Sequence, residues 1–279
     1  MHSLHTILGF FTHTHENFVK KKIFRRSLRQ MSSKAGEPTQ KLIPVCKIDM
    51  EKESKKLEKE FVFDVYDQIA PHFSHTRYKM WPKVADFVQN QKRGSFLLDA
   101  GCGNGKNLTQ ADHLVRFASD RSHPFCSMAR KVGRCDAVQA DISRDVGKSF
   151  RSGIFDAVIA IAVIHHIPTV EGRVSALREI HRLLKPGGKA LIYVWAMEQK
   201  KDTIGARQFE SQDIYVPWNL QSKYLAPEKG VPEGQIVPLM RYYHVFTEAE
   251  FQDLLRTVPE LRIESIYYDN NNWAAEVST

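Results

Sequence analysis

The sequence predicts an α/β fold: a seven-stranded, mostly parallel, doubly wound sheet that ends in an antiparallel hairpin. Three observations predict it. Apolar strand-like runs alternate with amphipathic helical runs from Ser95 onward, a glycine-rich loop follows the first of those strands, and the turn Asp269-Asn270-Asn271-Asn272 joins two strand-like runs near the end. Alternation of this kind requires a parallel sheet covered by helices on both faces. The 279 residues hold one such domain, typically of roughly 200 to 250 residues, with an appendage.

The appendage comes first. Residues 1–58 read as a basic, disordered N-terminal extension and residues 59–279 as the folded domain. Residues 1–60 carry 13 Lys and Arg against 7 Asp and Glu, whereas residues 61–279 carry 27 against 25, so most of the net charge of +8 sits in the arm. Such an arm attracts polyanions without reading sequence. Its acid-poor, Ser- and Arg-containing start also fits a mitochondrial transit peptide, the weaker reading, and Met31 is an alternative start. The four cysteines, Cys46, Cys102, Cys126 and Cys135, form no CxxC pair, which argues for a reduced cytoplasmic or nuclear setting and for no metal site within the chain. With 42% apolar residues but no apolar run of membrane length, no membrane span is expected.

The elements follow in order. Glu60 to Ile69 reads as a helix, and the segment Ala70 to Pro82 reads as irregular because of its prolines. Lys83 to Gln91 is a second helix, ended by Gly94 ahead of the strand Ser95 to Ala100. Strands at Leu114 to Ser119, Ala137 to Ala140, Phe155 to Ile161 and Ala190 to Trp195 alternate with helices at Pro124 to Val132 and Gly172 to Leu184. A helix near Glu248 to Arg256, a strand near Leu261 to Tyr268 and a last strand from Trp273 complete the chain.

The first strand leads into Asp99-Ala100-Gly101-Cys102-Gly103-Asn104-Gly105-Lys106. Glycines at Gly101, Gly103 and Gly105 let the chain turn tightly and let its amides approach a ligand. A dinucleotide fingerprint would place its last glycine where Lys106 stands, so the loop points away from NAD. A helix starting near Lys106 would favour a carboxylate at its N-terminus. Asp99 suits an ammonium group, Asp120, 19 residues after Gly101, suits two ribose hydroxyls, and Asp141 at the third strand's end suits an adenine amino group. This constellation resembles that of a class I S-adenosylmethionine methyltransferase fold, which is the expected fold. Its expected cofactor residues are Asp99, Gly101, Cys102, Gly103, Gly105, Asp120, Asp141 and Ile161. His165 and His166 follow the fourth strand, at the sheet edge where ligands bind; one of them is expected to face the substrate and the other to pack.

Longer runs carry a closer resemblance. Tyr66-Asp67-x-Ile69-Ala70-x-His72-Phe73-Ser74-x-Thr76-Arg77-Tyr78-x-x-Trp81-Pro82, Ile161-Ala162-Val163-Ile164-His165-His166, Ala190 to Gln199, and Arg241-Tyr242-Tyr243-His244-Val245-Phe246 resemble the eukaryotic tRNA wobble-uridine 5-carboxymethyl methyltransferases, from about residue 60 to the end. The resemblance implies methylation of the carboxylate of 5-carboxymethyluridine in the tRNA anticodon loop, with a small zinc-binding activator subunit as partner. It is to the stand-alone form, without the RNA-recognition and oxygenase modules of the longer animal homologue. The chain departs from the family at Asn107, where an aromatic is common, and across the variable loop from about Lys200 to Gly234.

The chemistry sets what the substrate side must supply. A carboxylate is already anionic at neutral pH, so methyl transfer to it needs alignment more than a base. Arg77 is assigned to that carboxylate, with His165 and Trp195 as the other catalytic residues. Trp195, and Tyr78, Trp81, Tyr242 or Tyr243, are expected to stack a flipped uracil base, and Arg241 and His244 to meet a phosphate or a uracil edge. Two rivals stay open: a small-molecule methyltransferase, which predicts an enclosed apolar pocket above His165, and a non-catalytic scaffold. The tRNA reading predicts an open groove with Arg77 and Arg241 at its rim.

Overall fold

The computed structural model describes residues 50–144, 149–200, 206–225, 232 and 234–279. Residues 1–49 of the basic arm lie outside them. Seven strands form one sheet: β1 (Phe96–Ala100), β2 (Val115–Asp120), β3 (Asp136–Gln139), β4 (Phe155–Ile161), β5 (Leu184–Trp195), β8 (Arg262–Asp269) and β9 (Asn272–Ser278), in the order β3-β2-β1-β4-β5-β9-β8. Strands β1 to β5 pair in parallel, with Leu98 opposite both Phe117 and Val158, and β9 enters antiparallel between β5 and β8. This is the sheet the sequence predicts.

Helices cover both faces. Val84, Phe87 and Val88 of α3 (Pro82–Gln89) and Cys126 and Ala129 of α4 (His123–Val132) pack on one face against Leu97, Ile159 and Tyr193. On the other, Ala176, Leu177 and Ile180 of α5 (Val170–Leu183) and Phe251 and Leu255 of α6 (Glu248–Arg256) meet Leu98, Val158 and Ile192. Strands buried on both faces read as continuous apolar runs, which is why β4 and β5 were legible.

Three elements differ from expectation. The chain is already helical at α1 (Met50–Glu58), inside the stretch assigned to the extension, because Leu57 and Glu58 at its end are buried against the domain. After a π-helical turn, Lys59–Phe63, helix α2 (Asp64–Thr76) continues through Pro71 instead of breaking there. Pro71 is exposed while Ile69 and Ala70 are fully buried, so packing offsets a helix-interior proline's cost of about 3 kcal/mol. The third is an unforeseen antiparallel ribbon of β6 (Asp213–Gln221) and β7 (Ile236–His244), with Val216 opposite Arg241. It packs Trp218 and Leu220 against Val65 and Ile69 of α2.

Candidate active site

A cleft of about 670 Å³ opens at the carboxyl edge of the parallel strands, lined by α2, the glycine loop, the ends of β2 to β5 and the ribbon. One end is built by the sheet. Gly101 has φ +79°, and a Cβ there would lie 2.3 Å from a Val163 methyl; Gly105, also at +79°, would put one 2.7 Å from the Ala129 Cα. Both turns therefore need glycine. The amides of Gly101 and Cys102 donate to the Ser119 carbonyl, tying the loop to the end of β2. Asp120 accepts from the amides of Gly103 (2.9 Å) and Ser122 (2.8 Å), and Asp141 accepts from the Ser143 amide and hydroxyl. The helix expected at Lys106 is only a short 3₁₀ turn, Lys106–Leu108, so no long helix offers its N-terminus to a carboxylate there.

Asp99 is fully buried. Burial raises its carboxyl to about 7, only partly opposed by a hydrogen bond from the Asn107 amide, and its Oδ1 has no hydrogen-bond partner among the described residues. A buried, partnerless carboxylate oxygen beneath a glycine cradle fits a cofactor that brings a cation. The side chain is not itself at the cleft surface; Asn107 is, between it and the opening. Glu58, Val62 and Phe63 close the Asp141 end, where Glu58 pairs with Arg144.

The other end is built by α2, the turn after β4 and the ribbon. Ala162 takes a left-handed conformation, φ +63°, right after β4 and turns the chain into the 3₁₀ segment Ile164–His166. His166 places Nδ1 2.9 Å from the Tyr242 carbonyl, which can only accept, so Nδ1 carries the proton and Nε2 accepts from the Tyr66 hydroxyl at 2.8 Å. His165 accepts the Trp195 amide on Nδ1 at 3.0 Å, which leaves Nε2 protonated in the neutral ring. Burial drives both imidazoles down, His166 to about 3 and His165 well below its ordinary value. Both stay neutral near pH 7: His166 has both nitrogens engaged in packing, while His165 keeps an N–H for the cleft.

Of the substrate-side residues expected from sequence, Arg77, Tyr78, Trp81, His165, Trp195, Arg241 and Tyr243 line this cleft. Tyr78 is 68% exposed at the mouth, with the Lys79 ammonium 6.0 Å over its ring. Trp195 is stacked on Tyr243, ring centres 4.2 Å apart, with the Arg207 guanidinium 5.4 Å over it, so neither ring offers two bare faces to a base. Tyr242 and His244 are not in the cleft. Alternate residues of a strand face opposite sides, so Arg241 and Tyr243 turn inward and these two turn away. Tyr242 is buried against Leu57 and Val62 with its hydroxyl on Asp213. His244 sits between Asp213 (2.9 Å) and Glu250 (2.7 Å); burial opposes its charge, yet the two carboxylates more than offset this and raise its pKa. It pins the ribbon to α6. Arg241 is 6% exposed, within the wall and not at a rim, whereas Arg77 is exposed at the mouth. Tyr66 and Arg207 also line the cleft. Tyr66 stood in the motif before Arg77 without a role, and Arg207 lies in a loop with no pattern to mark it.

Residues 98–192 match a family model described as a methyltransferase domain. A Schizosaccharomyces pombe tRNA (carboxymethyluridine(34)-5-O)-methyltransferase is 38% identical, over 77% of this chain and 95% of its own length. A Xenopus tropicalis protein of the same description is 37% identical over 78% of this chain, and the chain spans 40% of that relative's length. Among solved structures, the Burkholderia thailandensis 1,6-didemethyltoxoflavin-N1-methyltransferase with bound S-adenosylhomocysteine superposes with a TM-score of 0.54 at 15% identity, covering 88% of this chain and 98% of that one. An Aquifex aeolicus S-adenosylmethionine-dependent methyltransferase gives 0.51 at 14% identity, covering 76% and 97%. These two share the fold.

Proposed function

Because the chain belongs to the tRNA (carboxymethyluridine(34)-5-O)-methyltransferase family, we propose that it esterifies the carboxylate of 5-carboxymethyluridine at the first anticodon position of tRNA. The cofactor is S-adenosylmethionine, which the sheet-built end of the cleft fits: Gly101, Cys102 and Gly103 line the cradle with the Gly105 turn behind them, Asp99 lies beneath on the ammonium side behind Asn107, Asp120 is toward the ribose, and Asp141 and Ile161 are toward the adenine. When bound, it supplies an electrophilic sulfonium methyl.

One observation carries the substrate reading. Beyond the cofactor end the cleft is lined by three guanidiniums, Arg207 and Arg241 in the wall with His165, Trp195 and Tyr243, and Arg77 at the mouth, and the acidic residues lining the cleft, Glu58, Asp67, Asp120 and Asp141, belong to the cofactor end. The positive charges also sense one another, Arg207 being discharged more easily than usual first through burial and then through Arg241 and Arg77. An anionic substrate resolves that repulsion. Since a carboxylate needs no deprotonation, the neutral His165 orients through its Nε2 proton and is not required as a base. Tyr78 at the open mouth is placed to stack on an extruded base, a contact typically worth about 1 to 3 kcal/mol.

The proposed partner, from the family resemblance, is a small zinc-binding activator subunit. The proposed setting is the cytoplasm or nucleus, where the free thiols Cys102, Cys126 and Cys135 stay reduced. Mass spectrometry of tRNA nucleosides from cells lacking the protein tests the assignment. Loss of the methyl ester with build-up of free carboxymethyluridine is the expected result; an unchanged ester level with no acid build-up would overturn it.

A further inference from the structure

The geometry points to Arg241, not the exposed Arg77, as the receptor for the substrate carboxylate, and to loss of that ion pair on esterification as what frees the product. This inference rests on the proposed reaction and adds a residue and a release step to it.

The argument starts from the direction of the hydrogen bonds. The Tyr242 carbonyl fixes the His166 tautomer, so His166 Nε2 must accept and the Tyr66 hydroxyl must donate to it. The Tyr66 oxygen then accepts, from the Tyr243 hydroxyl at 3.2 Å and from Arg241 Nη1 at 3.4 Å. Tyr243 in turn accepts from Arg241 Nη1 at 2.6 Å. The chain runs from Arg241 outward and ends on a neutral imidazole; no member of it supplies a negative charge. Burial raises the Tyr66 hydroxyl well above its ordinary range, so it stays protonated.

The aromatic faces of Trp218, Tyr243 and Tyr66, 4.9 to 5.9 Å from the guanidinium carbon, soften the field but carry no charge either. Among the described residues Arg241 hydrogen-bonds the Tyr66 and Tyr243 hydroxyls and pairs with no carboxylate, and its buried Nε lacks a hydrogen-bond partner. Such a charge is costly to hold in a protein wall without an anion. The wall it occupies is the cleft, beside His165 and Trp195.

A carboxylate placed there meets a pre-oriented guanidinium and the His165 N–H. Its attacking oxygen takes the methyl as the carbon–sulfur bond breaks and the bonding pair stays on sulfur, and no proton is lost. The acid becomes a neutral ester, and Arg241 is again without a counter-ion. Substrate is thus held more tightly than product by a charge-assisted contact, whereas Arg77 at the mouth serves both equally.

The test measures binding of the full-length chain to two anticodon stem-loops, one with carboxymethyluridine and one with its methyl ester, with calorimetric S-adenosylmethionine affinity as the folding control. Wild type should prefer the acid by roughly tenfold to a hundredfold. Arg241→Gln should remove the preference with cofactor affinity unchanged, and Arg77→Gln should weaken both complexes alike. Arg241→Lys keeps the charge and guards against misfolding; its preference should fall at least threefold, on the order expected when a fork becomes a point charge. A preference unchanged in Arg241→Gln or Arg241→Lys, or abolished in Arg77→Gln, would overturn the inference. Equal binding of acid and ester by a wild type that still methylates the acid would also overturn it, whereas a wild type that does not methylate the acid would sink the proposed function itself.

Discussion

The two ends of the cleft are built by different means. The cofactor end is made of strand tips and the turns that follow them, and parallel pairing fixes their relative positions: Asp99 lies opposite Ala118 and Ile159, and Asp120 opposite Gln139. The substrate end is made of α2, a 3₁₀ turn and a two-stranded ribbon, held together by side-chain packing and by side-chain hydrogen bonds such as Tyr66 to His166 and His244 to Glu250. At the first end function follows from local sequence; at the second it follows from which face of an added layer turns inward.

The largest expected effect breaks the first end and spares the second. Gly101→Ala forces a left-handed alanine and drives its Cβ onto Val163, at an expected cost of about 2 to 5 kcal/mol from backbone strain and overpacking together. Thermal unfolding should show the loss, and calorimetry should show no S-adenosylmethionine binding. Because Trp218 and Leu220 of the ribbon keep their own packing on Val65 and Ile69 of α2, gel-shift affinity for tRNA should survive below the lowered melting temperature. An unchanged cofactor affinity would mean that the loop is not the cradle.

The same division explains what was legible in the sequence. Strands β1, β4, β5, β8 and β9 announce themselves through apolar runs, and Asp99, Gly101, Asp120 and Asp141 through their spacing along them. The ribbon has a period-two signal, Ile214, Val216, Trp218 and Leu220, all buried. Pro217 obscures it, a residue tolerated only because a two-stranded ribbon leaves its edge open. Arg241-Tyr242-Tyr243-His244 gives no hint of which pair faces the ligand, since all four residues are amphipathic. Three-dimensional packing decided it, by burying Tyr242 on Leu57 and Val62 and locking His244 between two acids. The helical Pro71 has the same cause: packing outweighed propensity.

A middle-sized effect sharpens the cofactor end through pH. The Asp99 carboxyl titrates at about 7 because it is buried. Below that pH it holds a proton, and an ammonium group can engage it only as the proton leaves. Binding is therefore coupled to proton release, and affinity must fall as pH drops through 7. Between pH 8 and pH 6 the loss should be roughly tenfold, the change expected when one group is almost fully ionised at the upper limit and about nine-tenths protonated at the lower. Calorimetric titrations at several pH values measure it. Asp99→Asn should bind more weakly throughout and lose the Asp99 part of the slope; a variant with the full slope would place the titrating group elsewhere.

The smallest expected effect tests the far edge of the substrate end. Among the described residues Arg77 donates from Nη1 only to the neighbouring Thr76 carbonyl; it lies 5.7 Å over the Trp218 ring and is exposed. On the proposed function, an exposed guanidinium at the mouth would meet the tRNA backbone in water, where its contribution is modest and screened by salt. Arg77→Ala should lower tRNA affinity by a few-fold and reduce the slope of log affinity against log salt by about 1. Turnover at saturating tRNA should change little. Loss of turnover with the salt slope intact would instead put Arg77 against the reacting carboxylate and return to it the role that its sequence motif first suggested.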